Sequence, residues 1–193
     1  ELVSSIFDAC GYRRFESKEA PEAEEEPVTH DKPARVVDLD AFYSAPSIGT
    51  LKRFLGPDMH FHHGIFASTD TTFDDALDEA VRVLYPHIPV GASILDVGCG
   101  WCGTLRQLAR ERSVRDSLGL TISRAQAYYC RSQDGQRVVH VDAEDYTGYD
   151  ALDFDVALMI ESLEHMRDKR ETLRKVRTAA KKLILRTSCR KNH

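Results

Sequence analysis

The run Ile94-Leu95-Asp96-Val97-Gly98-Cys99-Gly100-Trp101-Cys102-Gly103 constrains this chain more than any other stretch. An apolar segment ends in an aspartate, passes through three glycines and opens onto Thr104-Leu105-Arg106-Gln107-Leu108-Ala109-Arg110, the pattern of a buried strand turning tightly into a helix. Glycines at 98, 100 and 103 remove the side chains that would hold a ligand off the backbone. The helix behind them points its unpaired N–H groups and positive dipole end at the turn. The turn reads as the floor of a nucleotide-type pocket.

Gly98-x-Gly100-x-x-Gly103 also satisfies the dinucleotide fingerprint, which is a weak signal alone. An NAD site requires an acid about 20 residues on, at the end of the second strand. That strand end reads Leu118-Gly119-Leu120-Thr121-Ile122-Ser123 and carries no carboxylate. Asp96, two residues before the first glycine, is placed to accept from an ammonium lying over the turn. This suits an amino-acid-bearing ligand better than a pyrophosphate.

From residue 94 onward strand and helix patterns alternate. Strands are expected at 94–97, 117–120, 137–141, 154–160 and 182–187, and helices at 104–112, 124–130 and 169–180. Such alternation predicts an α/β, Rossmann-like doubly wound parallel sheet that binds ligands at the carboxyl ends of its strands. Upstream, Thr72 to Tyr85 has helical periodicity with Thr72 as N-cap and Pro86 as stop, and a shorter helix is expected at 47–55. Residues 36–43 form a modest apolar stretch, 2–10 a short amphipathic helix, and 16–27 a glutamate-dense linker. The chain thus divides into an N-terminal helical and linker segment, 1–57, and a ligand-binding core, 58–193.

A net charge of -5 offers no attraction to phosphate backbones, so nucleic acid is not an expected partner. No run of about 18 apolar residues and no signal-peptide pattern is present, so neither membrane nor export is expected. Five irregularly spaced cysteines suit a reducing cytoplasm. Cys99-x-x-Cys102 has no second pair downstream and reads as incidental rather than zinc-binding or redox. His60, His62 and His63 have no ligand at helical i, i+4 spacing, and no metal is expected.

Four blocks in order resemble the class I S-adenosylmethionine-dependent methyltransferases, particularly their cyclopropane fatty acid synthase-like subgroup of small-molecule methyltransferases. They are the Gly-rich block, Gly119-Leu120-Thr121-Ile122-Ser123-Arg124-Ala125-Gln126, Val141-Asp142-Ala143-Glu144-Asp145-Tyr146, and Met159-Ile160-Glu161-Ser162-Leu163-Glu164-His165-Met166. Met59-His60-Phe61-His62-His63-Gly64-Ile65-Phe66 is a fifth, weaker match, to the segment that folds over the cofactor in that family. The resemblance implies S-adenosyl-L-methionine as cofactor, S-adenosyl-L-homocysteine as product, and an N-terminal helical lid. It implies a cofactor site of Asp96, Gly98, Cys99 and Gly100 on the first turn, with Thr121 and Gln126 near the ribose. Asp142, Ala143 and Glu144 fall at the adenine, and Phe61, His62 and Ile160 complete the set. Glu164, His165 and His63 are the implied catalytic residues, Glu164 first. The family core has seven strands. With five expected here, the sixth and seventh are expected to lie outside this sequence, leaving an exposed edge strand that makes the fragment either unstable or prone to pair with another copy, as in a homodimer.

The sulfonium makes the methyl electrophilic already, so the protein chiefly aligns acceptor, methyl and sulfur, which supplies about 7–11 kcal/mol of the barrier. Cyclopropane synthases hold a bicarbonate base through a cysteine, a glutamate and a histidine. The resemblance puts His63, Glu164 and Arg186 at those positions, so only the glutamate is kept. Simple C-, O- or N-methylation of a small metabolite is therefore favoured over cyclopropanation of a lipid, and Arg186 is left to recognise an acidic group on the substrate. An NAD-linked oxidoreductase and a non-catalytic S-adenosylmethionine-binding module are the competing classes. Blander roles stand beside these assignments: a helix cap and its first turn for Thr121 and Gln126, a polar loop for Glu144 and Asp145, a solvated face for the basic run 167–175, and either solvent or site for Glu161.

Overall fold

The computed structural model describes residues 37–44 and 48–187; the helix expected at 2–10 and the linker at 16–27 lie outside the described residues. Two short helices, α1 (Leu39–Ser44) and α2 (Ile48–Leu55), precede α3 (Phe73–Arg82). Thr72 caps α3 as its sequence suggests: its Oγ1 accepts from the Asp75 amide at 3.1 Å and donates to the Asp75 carboxylate at 2.7 Å. Ala76, Leu77, Ala80 and Val81 form the buried stripe of this helix. Pro86 does not end α3 directly; it sits in the first turn of a one-turn 3-10 helix, Tyr85–His87, where a missing N–H costs nothing.

The core alternates β1 (Ser93–Val97), α4 (Gly103–Arg112), β2 (Asp116–Thr121), α5 (Arg124–Asp134), β3 (Val138–His140), β4 (Phe154–Ile160), α6 (Lys169–Ala179) and β5 (Ala180–Arg186). Among the described residues the strands form one five-stranded sheet in the order β3-β2-β1-β4-β5, every neighbouring pair parallel. All five residues of β1 are buried, as a central strand covered on both faces requires. Strand order reverses between β1 and β4, and a doubly wound sheet opens a crevice beyond the carboxyl ends of the strands at such a point. Leu95, Val97, Leu120, Ala157, Met159 and Val176 pack together in the core beneath that crevice.

Several element boundaries differ from expectation, among them α5, which runs on to Asp134 and stops at Gly135 in the left-handed conformation. The third strand shrinks to three residues at the sheet edge. The last begins at Ala180, directly at the end of α6, because Phe154 pairs with Ala180 and the register then runs to Ile160 opposite Arg186. Among the described residues no helix is long and apolar enough to cross a membrane.

Candidate active site

The Gly-rich turn leaves β1 with both Gly98 and Cys99 donating their amides to Leu120 O at 2.9 Å, which ties it to β2. The three glycines serve three different purposes, a correction to the expectation that all clear room for a ligand. Gly98, at φ +88°, lies against Ser162, where a Cβ would collide. Gly103 admits the segment before it, a Cβ there falling 2.7 Å from both Asp58 O and His60 Nδ1. Only Gly100, at φ +53°, faces open space, and it forms the bare floor of the crevice.

The crevice has two compartments meeting at Phe61, Gly98, Gly100 and Ile160. The larger, with about 630 Å³ of open space including its mouth, is bordered by Thr121, Gln126, Asp142 and Ala143 and roofed by Leu39 and Tyr43 of α1. The smaller, about 310 Å³, holds Asp96, His60, His62 and Cys99.

Charge distinguishes the two. Asp96 is 3% exposed, and burial pushes its carboxyl up to about 7, with no ion pair or hydrogen bond among the described residues to offset it. Burial also pushes His60 and His62 down to about 4, so both imidazoles are neutral near pH 7. A buried carboxylate without a counter-ion, at the end of β1, is chemically matched to an ammonium group. In the larger compartment Thr121 Oγ1 donates to Gln126 Oε1 at 2.6 Å and accepts from the Ser123 amide at 3.2 Å. That leaves the Gln126 amide nitrogen to donate into the cleft. The helix cap is Ser123, whose side chain accepts from the backbone amide of Gln126, so Gln126 does lie in the first turn of α5 but Thr121 is not its cap. Asp142 accepts from the Glu144 amide at 3.1 Å in a local turn that brings Asp142 and Ala143 to the cleft wall.

Other expected residues fall elsewhere. Glu144 turns away from the cleft: its carboxylate accepts from Arg167 Nε at 2.9 Å and the Asp168 amide at 2.7 Å, bracing the start of α6. Arg167 is accordingly not part of a solvated basic face. Glu164 is exposed, borders neither compartment, and accepts from Thr187 Oγ1 at 3.2 Å. His165 borders the larger compartment, its Nε2 3.0 Å from the Tyr43 hydroxyl. Cys99 and Cys102 are buried free thiols with their sulfurs 3.8 Å apart.

Glu161, for which the sequence left two orientations open, borders the larger compartment with its side chain 12% exposed. Its backbone sits at φ +50°, and its amide donates to Arg186 O at 2.7 Å. Its carboxylate accepts from the His63 amide at 3.1 Å and faces His63 Nδ1 at 2.7 Å. Arg186 stands 3.4 Å from Glu161 Oε1 and donates to His63 O at 2.7 Å. Both Arg186 and His63 are thus engaged with the wall and the lid. His63 borders neither compartment, and the guanidinium expected to meet an acidic substrate already has an acid. Tyr43, the roof residue that sequence reasoning missed, belongs to no motif.

This sheet order, with a crevice beyond β1 and β4, is the class I methyltransferase fold. The structure of coclaurine N-methyltransferase bound to N-methylheliamine and SAH superposes with a TM-score of 0.63 at 25% identity, over 74% of this chain and 44% of that one. The chain belongs to the mycolic acid cyclopropane synthetase family, whose sequence model matches residues 41–184. It is 32% identical over 120 residues to (S)-tetrahydroprotoberberine N-methyltransferase of Eschscholzia californica, covering 58% of this chain and 34% of that protein. It is 33% identical over 109 residues to a probable fatty acid methyltransferase of Mycobacterium tuberculosis, covering 51% and 25%. The chain therefore spans about a third of the length of the first relative and a quarter of the second.

Proposed function

We propose that this chain binds S-adenosyl-L-methionine and transfers its methyl group in line to a small molecule, releasing S-adenosyl-L-homocysteine. The observation that carries the reading is Asp96: a buried carboxylate with no partner among the described residues, beside a bare glycine floor and next to a compartment lined by hydroxyl and amide groups. The donor's ammonium pairs with Asp96, and its sulfonium lies at the Phe61–Gly100 junction. Its ribose meets Thr121 and Gln126, and its adenine lies against Asp142, Ala143 and Ile160. Cys99, Gly98 and His62 complete the walls. The NAD alternative gains nothing at the end of β2, where Thr121 stands in place of an acid.

On the acceptor side, His165, Tyr43 and Glu161 border the space into which the methyl points in this reading. Glu161 takes precedence over Glu164 because its carboxylate is at the wall and held by His63, whereas Glu164 stands at the exposed rim. A carboxylate fixed in a partly dry cleft stabilises positive charge developing on the acceptor and receives its proton. Arg186, occupied by Glu161 and His63 O, supports methyl transfer without a bound bicarbonate.

Calorimetric titration with S-adenosylmethionine, S-adenosylhomocysteine and NAD, followed by labelled-methyl incorporation into amine, hydroxyl and enolisable acceptors, tests the reading. Binding of the first two alone is expected. Binding of NAD alone, or of none, overturns it. Glu161→Gln is expected to lower turnover by about 100-fold and Glu164→Gln by less than about tenfold; the reverse order returns the catalytic role to Glu164.

A further inference from the structure

Of the three histidines in the lid segment, His63 is engaged by Glu161, and His60 and His62 serve no step described so far. Their rings face one another, His60 Nδ1 lying 3.2 Å from His62 Nε2. On the far side His60, only 2% exposed, places Nε2 3.3 Å from Asp78 Oδ1, off the alignment of a good hydrogen bond. The Gln107 amide also faces this ring, its Oε1 buried without a partner. On the near side His62 Nδ1 meets two groups of opposite character. Arg186 Nη1, at 3.4 Å, only donates, and His63 O, at 3.1 Å, only accepts. Asp78 lies on α3 with its side chain 24% exposed.

Two proton arrangements match donors to acceptors along this row, its last link being the 3.3 Å approach of His60 Nε2 to Asp78, which must straighten to carry a proton. With Asp78 ionised, His60 carries its proton on Nε2, facing the carboxylate, and His62 donates from Nε2 to His60 Nδ1. His62 Nδ1 then accepts from Arg186. With Asp78 protonated, the row reverses: the carboxyl donates to His60 Nε2, His60 Nδ1 donates to His62 Nε2, and His62 Nδ1 donates to His63 O. The arrangements differ by one proton that enters at His62 Nδ1 and comes to rest on Asp78.

We propose that His62, His60 and Asp78 form a reversible proton relay that takes up the proton released by the methyl acceptor at the Glu161 end of the cleft and holds it at the α3 surface until product leaves. The proposal rests on the methyl-transfer reading above. In the step, the acceptor atom bonds the methyl as the C–S bond breaks, and sulfur keeps the electron pair as a neutral thioether. Glu161 takes the acceptor's proton, and a bridging water carries it on to His62 Nδ1, whose direct neighbours Arg186 Nη1 and His63 O cannot relay it. The N–H bond at His62 Nε2 breaks as one forms at His60 Nδ1, and that at His60 Nε2 breaks as the Asp78 O–H forms. Opening of the cleft returns the proton to water by the same route.

The surroundings suit a proton better than a metal cation. Ligand atoms of Asp58, His60 and Asp78 lie within 4.8 Å of one another. Arg110, however, holds both oxygens of Asp58, at 3.1 and 2.8 Å, and Arg82 holds Asp78 at 3.1 Å, so the carboxylate charge is already matched. Arg106 and Glu111 from α4, and Glu161 and Arg186 from the strand ends, are the other charged groups facing the row. Burial keeps both imidazoles neutral, and it also raises the Asp78 carboxyl above the usual range, as a resting place for the proton requires.

The test reads ring tautomers directly. Full-length protein labelled with ¹⁵N-histidine is titrated downward from about pH 8.5, with and without S-adenosylhomocysteine, and followed by long-range ¹H–¹⁵N correlation. Both rings are expected as Nε2–H at high pH and to convert together to Nδ1–H at one shared midpoint, neither becoming imidazolium. Asp78→Asn is expected to hold both rings as Nε2–H throughout, while Asp78→Glu restores the switch. Independent titration of the two rings, a ring fixed in one tautomer, or a wild-type profile in Asp78→Asn overturns the relay. Calorimetry on the same samples separates the two readings: S-adenosylhomocysteine binding without a coupled switch removes the relay alone. A coupled switch in a protein that does not bind it removes the methyl-transfer reading, and with it the purpose of the relay.

Discussion

The two compartments of the cleft are built in contrasting ways. Along the Thr121–Asp142 wall of the larger, polar side chains are satisfied by near neighbours in sequence, Thr121 with Gln126, Ser123 with the Gln126 backbone amide and Asp142 with Glu144, whereas Glu161 and His165 on its other side are held across 98 and 122 positions. In the smaller, Asp96 on β1 meets histidines from a segment more than 30 positions upstream, and those are fixed by α3 and the end of β5. Local turns order that wall, and Arg167 offsets the carboxylate on it, Asp142, at 3.4 Å. Long-range closure produces a dry pocket in which one carboxylate is uncompensated. In the proposed function the first meets the nucleoside and the second meets the charged amino-acid end of the donor.

Asp96→Asn breaks the contrast hardest. It is expected to weaken S-adenosylhomocysteine binding by more than about 100-fold, since it removes one partner of a buried charge pair. The same change stabilises the ligand-free protein at pH 8. The folded pKa is raised to about 7, so ionised Asp96 costs stability at and above that pH, and the cost disappears as pH falls through 7 toward the unfolded carboxylate value. A gain on the order of 3 kcal/mol at pH 8, vanishing near pH 4, is the expected thermal-melt signature. Unchanged affinity would remove Asp96 from the site. By the same linkage, wild-type affinity falls by about tenfold per pH unit below 7, because the ammonium needs the ionised carboxylate; a flat calorimetric profile from pH 5.5 to 8 would contradict this.

The glycines sharpen the comparison at the shared floor. Gly98→Ala is expected to destabilise the fold by about 2–4 kcal/mol, from collision with Ser162 and a backbone at φ +88°. Gly100→Ala meets open space and only the strain of φ +53°, about 1 kcal/mol, yet weakens S-adenosylhomocysteine binding by more than about tenfold because its methyl enters the cleft. Equal melting temperatures for the two variants would refute the division of labour. The smallest effect is expected at Thr121→Val, which loses one buried hydrogen bond, about 1 kcal/mol in stability and roughly fivefold in affinity.

What could be read in advance follows the range of the forces involved. β4 appears at 154–160 and α3 behind Thr72 because strand burial, helical periodicity and capping act within a few residues. The choice between Glu161 and Glu164 could not be read that way. Both are carboxylates three positions apart, and which one faces the cleft depends on the left-handed backbone at Glu161 and the 3-10 turn Leu163–His165, both set by the packing of β5 beside β4. Glu144 lies in a motif whose neighbours Asp142 and Ala143 do reach the cleft, yet its bonds to Arg167 and the Asp168 amide turn it away. Tyr43 reaches His165 across 122 positions, a contact no local pattern encodes.

By itself, the order of residues determined the strand–glycine–helix turn, the alternation that makes a parallel sheet, and Asp96 at the head of the turn, because steric and hydrogen-bonding preferences of neighbouring residues suffice for these. Tertiary structure alone decided which glycine clears the floor, which glutamate lines the wall, and how Arg186, His62, His60 and Asp78 come into one row. Those outcomes depend on distant segments competing for the same buried volume and charge, and that competition is settled only when the sheet and its lid close together.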